Sequence, residues 1–150
     1  MRIAIAAALL AACEGGSQGT GEPVEVIDQG QACLLGHEPA GSSRTTFVAD
    51  QPVEINVGSF ECLSSSCTSE QTASCQVTLT GTTIAITTRA SWKDTSHTGN
   101  ACTDDCGSPS AECVTPPLPA GTYTVKLGVH TTTLEVPSMP AMFPCLGDQF

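Results

Sequence analysis

The stretch CTDDCGSPSAEC, Cys102 to Cys113, gathers three thiols and three carboxylates (Asp104, Asp105 and Glu112) around a glycine and a proline. Those residue types could hold zinc, exchange disulfides or bind calcium, and the spacing decides among them. Structural zinc sites favour C-x2-4-C pairs joined to a second pair, or to histidines, at set spacing. Here the clusters read C-x4-C-x7-C over Cys62, Cys67 and Cys75, and C-x3-C-x6-C over Cys102, Cys106 and Cys113, with His97 five residues before Cys102. No CxxC occurs, which removes the usual dithiol redox motif. The acids lack the alternating pattern, glycine and closing glutamate of an EF-hand loop, so they read as charges that keep a loop soluble. Hydrolytic motifs fare no better. HEPAG, His37 to Gly41, begins like a zinc-protease helix, but the second histidine is missing and Pro39 spoils the helix. VGSFE fails the G-x-S-x-G pattern at its last position. His37, His97 and His130 fall in three separate segments. The expectation is no catalytic residue, no metal and no cofactor, with only a set assembled in space left open.

The start of the chain is more informative. In MRIAIAAALLAAC, Arg2 is the only charge and Ile3 to Leu10 is an unbroken apolar run. That is the n-region and h-region of an export signal, and it is far shorter than the ~20 apolar residues a membrane span needs. Leu10, Ala11, Ala12 and Cys13 resemble the lipobox of bacterial lipoproteins. The resemblance implies that residues 1–12 are a signal peptide cut before Cys13, and that the Cys13 thiol carries a diacylglycerol group. Glu14, in place of the aspartate that retains such proteins at the inner membrane, favours an outer-membrane location by the same resemblance. EGGSQGTGEP, Glu14 to Pro23, has no apolar anchor and reads as a flexible tether. Residues 13–23 are then the lipidated cysteine and tether, and 24–150 a single domain.

With Cys13 set aside, eight cysteines remain: Cys33, Cys62, Cys67, Cys75, Cys102, Cys106, Cys113 and Cys145. An even number in an exported chain reads as a disulfide framework, with 105 possible pairings that spacing does not resolve. Aromatic residues make up only 4 % of the chain, so the core must come from Val, Ile, Leu and Ala, and cystines must supplement it. Each bridge typically contributes ~2–4 kcal/mol against a usual total of ~5–15 kcal/mol, so full reduction is expected to unfold the domain. Fifteen acidic residues face five basic ones, and loss of Arg2 leaves 4 − 15 = −11. That balance opposes binding to nucleic acid or to anionic headgroups.

Positioning falls to strands. Period-two alternation with Thr and Val recurs and no long helical period appears. About seven strands are expected: Pro23–Ile27, Thr45–Val48, Pro52–Phe60, Cys75–Thr80, Thr83–Trp92, Thr122–Leu127 and Thr131–Val136. The clearest hairpins turn at Gly81 and Gly128. LPAGTYTV, Leu118 to Val125, resembles the corner leading into a late strand of immunoglobulin-like and fibronectin-like sandwiches. The resemblance implies that Tyr123 packs its ring inward and bonds its hydroxyl back to an upstream loop. The mature chain is also similar to cysteine-rich lipoproteins of myxobacteria in its lipobox, paired cysteine clusters and PPLPAGTYTV segment, a likeness that carries no activity. The fold class is therefore all-β, an antiparallel, disulfide-stapled β-sandwich of immunoglobulin-like kind.

Strand parity makes a sharper expectation. If Pro52–Phe60 runs up, the loop Glu61–Ser74 lies at the top, Cys75–Thr80 runs down and Thr83–Trp92 runs up. The loop Lys93–Ala120 is then at the top, Thr122–Leu127 runs down, Thr131–Val136 runs up and the Cys145 tail leaves from the top. Thr45–Val48, running down, would bring Cys33 to the same end. All eight cysteines would gather at one pole of rigidified loops, where binding surfaces are often built. The functional expectation is a non-enzymatic, lipid-anchored envelope module that binds a protein or glycan partner through that pole. The alternatives are a ligand-binding or protease-inhibitor-like sandwich presenting TPPLPAG (Thr115 to Gly121), and a calcium- or zinc-binding envelope protein.

Overall fold

The alternation that marks TLTGTTIAIT as a hairpin is realised over a long arm pair. In the computed structural model, which describes residues 21–36, 46–58, 60–96, 99, 101–140 and 144–147, β4 (Thr68–Thr80) and β5 (Thr83–Asp94) pair antiparallel across a turn where Gly81 has φ 58°. Ile84, Ile86, Ala90 and Trp92 of β5 are buried, while Thr87 and Arg89 face solvent. Cys13, with the expected signal, and His37 and His97 lie outside the described residues.

Two sheets pack their apolar faces together, so the fold is an all-β, cystine-stapled sandwich. The first sheet holds β1 (Glu22–Ile27), β4, β5, β7 (Gly121–Leu127) and β8 (His130–Val136). The second holds β6 (Ala111–Val114), β3 (Glu54–Gly58), β2 (Gln31–Leu35) and β9 (Cys145–Gly147), in that order. Leu127, Val125 and Tyr123 come to the core from one sheet, and Ala32, Leu34, Ile55, Val57 and Leu146 from the other. Phe47, Phe60 and Leu118 plug the space between them from the connections.

Four findings depart from the expected layout. First, nine strands occur among the described residues rather than about seven, because β2, β6 and β9 were not expected. Second, Thr46 and Phe47 make isolated bridges, that of Phe47 to Ser138, and the described residues of this segment form no strand. Third, β7 runs parallel to β5, with Thr83 opposite Thr124 and Ile86 opposite Leu127. The cause is β6. It pairs antiparallel with β3 inside what looked like one long top loop, so the chain descends once more before β7 begins. Every later direction is thereby reversed: β8 runs down, and the tail leads from the bottom into β9. Fourth, β2 itself runs down from Gln31, opposite Gly58, to Leu35, opposite Glu54, so Cys33 lies within the second sheet and not at the pole.

One edge of β5 is shared by two strands in relay. β1 covers it from Arg89 to Asp94 and β7 from Thr83 to Ile86. In the gap between them Asp28 replaces a strand. Its N–H donates to the Thr88 carbonyl at 2.9 Å, and its Oδ1 accepts the Thr88 N–H at 3.1 Å. Thr88, buried at 1 % exposure, donates its hydroxyl to the Gln29 carbonyl at 3.0 Å. The chain then crosses to the second sheet through Gly30, whose φ is 86°.

The tyrosine corner forms as its sequence implies. The Tyr123 hydroxyl donates to the Pro119 carbonyl at 2.7 Å, and the ring is buried at 5 % exposure.

Candidate functional site

The eight cysteines form four pairs: Cys33–Cys145, Cys62–Cys106, Cys67–Cys102 and Cys75–Cys113. Only two of them occupy the pole above β3. Cys62–Cys106 and Cys67–Cys102, with Cα separations of 4.9 and 5.4 Å, tie the Glu61–Cys67 loop to the segment running from β5 to β6. Cys75 and Cys113 face the interior of the sandwich and join β4 of one sheet to β6 of the other. Cys33 and Cys145 alternate with buried Ala32, Leu34 and Leu146, so their bridge lies on the outer face of the second sheet. The expected gathering of all eight at one end is thus corrected to four, for the reason that β2, β6 and β9 are strands.

At the pole the two loops behave as one surface. Leu63 and Gly107 exchange both backbone hydrogen bonds, at 2.8 and 2.9 Å. Around that bridge the Thr103 hydroxyl bonds with those of Ser64 and Ser66 at 3.0 and 3.1 Å, and the Thr103 N–H donates to Ser66 Oγ at 2.8 Å. The Ser65 N–H reaches both Asp105 carboxylate oxygens at 3.3 Å, and the Thr103 hydroxyl also donates to Asp105. Hydrogen bonding from the Ser65 side chain, and then from Thr103, holds the exposed Asp105 carboxyl below the usual carboxylate range, at about 2. Leu63 and Cys67, at 4 % and 2 % exposure, root this surface in the core.

A cleft of about 210 Å³ opens beside it, floored by Leu63 and Trp92 and rimmed by Glu61, Cys62, Asp94 and Cys102. The chain enters the fold at the same end, since Glu22 of β1 lies opposite Asp94. Sequence reasoning identified the cysteines but missed Ser64, Ser65, Ser66 and Thr103. Their signal was hydroxyl residues next to cysteines in turn-forming stretches, where side chains bond to nearby backbone.

Among the described residues no group of three or more His, Cys, Asp or Glu side chains could hold a metal ion, so Asp104, Asp105 and Glu112 are not brought together. His130 sits at the turn between β7 and β8. No helix among the described residues is long and apolar enough to cross a membrane. In TPPLPAG, Pro116, Pro117, Pro119, Ala120 and Gly121 are exposed, while two residues anchor the segment. Thr115 and Leu118 are buried, Thr115 exchanges hydrogen bonds with Val53, and Leu118 is bridged to Gln51. No family model, curated protein or solved structure matches the chain.

Proposed function

We propose that the protein is a non-enzymatic, lipid-anchored module of the cell envelope that binds a protein or glycan partner through its cystine-braced pole. The observation that carries this reading is the rigid surface built by Cys62–Cys106, Cys67–Cys102 and the Ser65–Thr103–Asp105 hydrogen bonds. Such a surface loses little conformational entropy on binding, because its loops are ordered beforehand. The immunoglobulin-like assignment rests on the Tyr123 corner and the two-sheet packing.

An anchor at Cys13 adds a geometric consequence. From Cys13 to Glu22 is 22 − 13 = 9 residues, which span at most about 32 Å when fully extended. Because β1 begins beside Asp94, the pole is the end of the domain held nearest the bilayer. The partner is therefore one that stands at the membrane surface. The surroundings of the pole, with Glu22, Glu61, Asp94, Asp104 and Asp105, favour a partner that presents positive charge.

Two measurements test this. Mass spectrometry of protein from isolated membranes should find an acylated Cys13 as the first residue; an unmodified chain that keeps residues 1–12 contradicts the anchor. A photo-crosslinking side chain at position 104 should give a discrete adduct in intact cells, while the same group at position 78 on the outer face of β4 gives none. Adducts only from position 78 contradict the pole as the binding surface.

A further inference from the structure

Among the described residues, every open sheet edge but one carries a protective device. β4 has a bulge between Ser69 and Thr72 and is stapled to the other sheet by Cys75–Cys113. β1 contains Pro23, while β6 and β9 have only four and three residues. β8 is different. Its seven residues, HTTTLEV, include no proline, no lysine and no bulge, and it ends the sheet order beyond β7. Proteins usually blunt such an edge because its unpaired backbone groups template another strand.

The register says which groups are available. In the two-residue turn at Gly128 and Val129, Leu127 and His130 are the hydrogen-bonded pair, so Thr132, Leu134 and Val136 also point their backbone groups at β7. Thr131, Thr133 and Glu135 then present theirs to the outer edge. Ser138 Oγ caps the Glu135 carbonyl at 2.5 Å and so ends the open ladder. Alongside lies a cleft of about 370 Å³, lined by Phe47, Leu134, Met139, Pro140 and Pro144, with Thr133 and Glu135 on its strand side. Met139 is 53 % exposed there.

We propose that the edge of β8 and this cleft form a docking site for an extended segment of a basic partner protein, added to the first sheet as a further strand. Main-chain bonds to Thr131 and Thr133 hold the segment, and an apolar side chain level with Leu134 fills the cleft. A second copy of the chain is disfavoured as occupant by a net charge of −10 on each molecule. The same charge, with Glu135 at the rim, selects lysine or arginine beside the apolar residue. The site lies toward the end of the molecule opposite the cystine pole, and it stands independently of the function proposed for that pole.

The test is amide exchange, read residue by residue, with and without a seven-residue peptide of alternating lysine and leucine. Saturation should slow the Thr131 and Thr133 amides by about tenfold or more, with Lys126 on β7 unchanged. A Glu-for-Lys version of the peptide should not bind. Thr133→Pro removes only an edge N–H and so leaves the β7 ladder intact. It should abolish protection of the Thr131 amide while keeping the unfolding midpoint, and Met139→Lys should weaken binding by closing the cleft. Equal binding of the acidic peptide, protection that maps to the pole, or edge protection that appears through self-association without peptide would each overturn the proposal.

Discussion

Asp105 shows how a residue can be legible in type and not in role. The sequence marks it as one of several loop acids; the fold makes it the acceptor that ties two loops together. Its carboxyl titrates at about 2 instead of 3.8. A folded-state value below the unfolded one contributes stability that is present above the ordinary carboxylate range and lost as pH falls towards 2. Following the carboxyl carbon of Asp105 by NMR should therefore give a midpoint near 2 in wild type, moving to the ordinary value when Ser65 and Thr103 are both replaced by alanine. Glycines make a matched comparison. Gly128 and Gly81 both have positive φ, 55° and 58°, but an added Cβ at Gly128 would come 2.6 Å from the Asp28 carbonyl while at Gly81 it meets nothing within 4 Å. Gly81→Ala should cost about 1 kcal/mol for the left-handed conformation alone, and Gly128→Ala about 2 kcal/mol or more, by urea unfolding. Tyr123→Phe removes the bond to Pro119 and should cost about 1 kcal/mol in the same assay.

At the scale of elements, the first sheet was readable and the second was not. Val77 and Leu79, Ile84 and Ile86, and Tyr123, Val125 and Leu127 alternate with threonines, and each set faces inward as the period requires. The second sheet offers no such pattern, because QACLL, AECV and CLG are too short to show a period. Each of those three unexpected strands carries one half of a cystine, so a covalent link supports pairing that length alone does not. A cysteine was read as loop chemistry when it was a strand residue, and that error propagated through β6 to the direction of β7 and β8. The bridges should differ in worth accordingly. Replacing Cys75 and Cys113 by alanine removes closure of a 38-residue span and the link between sheets; it should cost about 4 kcal/mol. Cys62–Cys106 encloses Cys67–Cys102, with separations of 44 and 35. Its loss should cost less, about 2–3 kcal/mol, since the inner bridge still closes most of the loop.

For the molecule as a whole, charge and topology point the same way. The described cations Arg89, Lys93 and Lys126 lie on β5 and β7, where Arg89 pairs with Glu25 at 2.7 Å and Lys93 with Glu70. Lys93 lies next to Asp94 at the cystine pole, where Glu22, Glu61, Asp94, Asp104 and Asp105 outnumber it, and the chain enters the fold beside that pole. A thin aromatic complement is offset by four bridges: Cys75–Cys113 joins the two sheets, Cys33–Cys145 fastens β9 to β2 within the second sheet, and the other two make the pole a single surface. That division of labour is the central claim, and non-reducing peptide mapping by mass spectrometry tests it most directly. Linked peptides should identify Cys33–Cys145, Cys62–Cys106, Cys67–Cys102 and Cys75–Cys113. A bridge closed within one loop, Cys62 to Cys67 or Cys102 to Cys106, would mean that the two loops are not clasped to each other, and would contradict it.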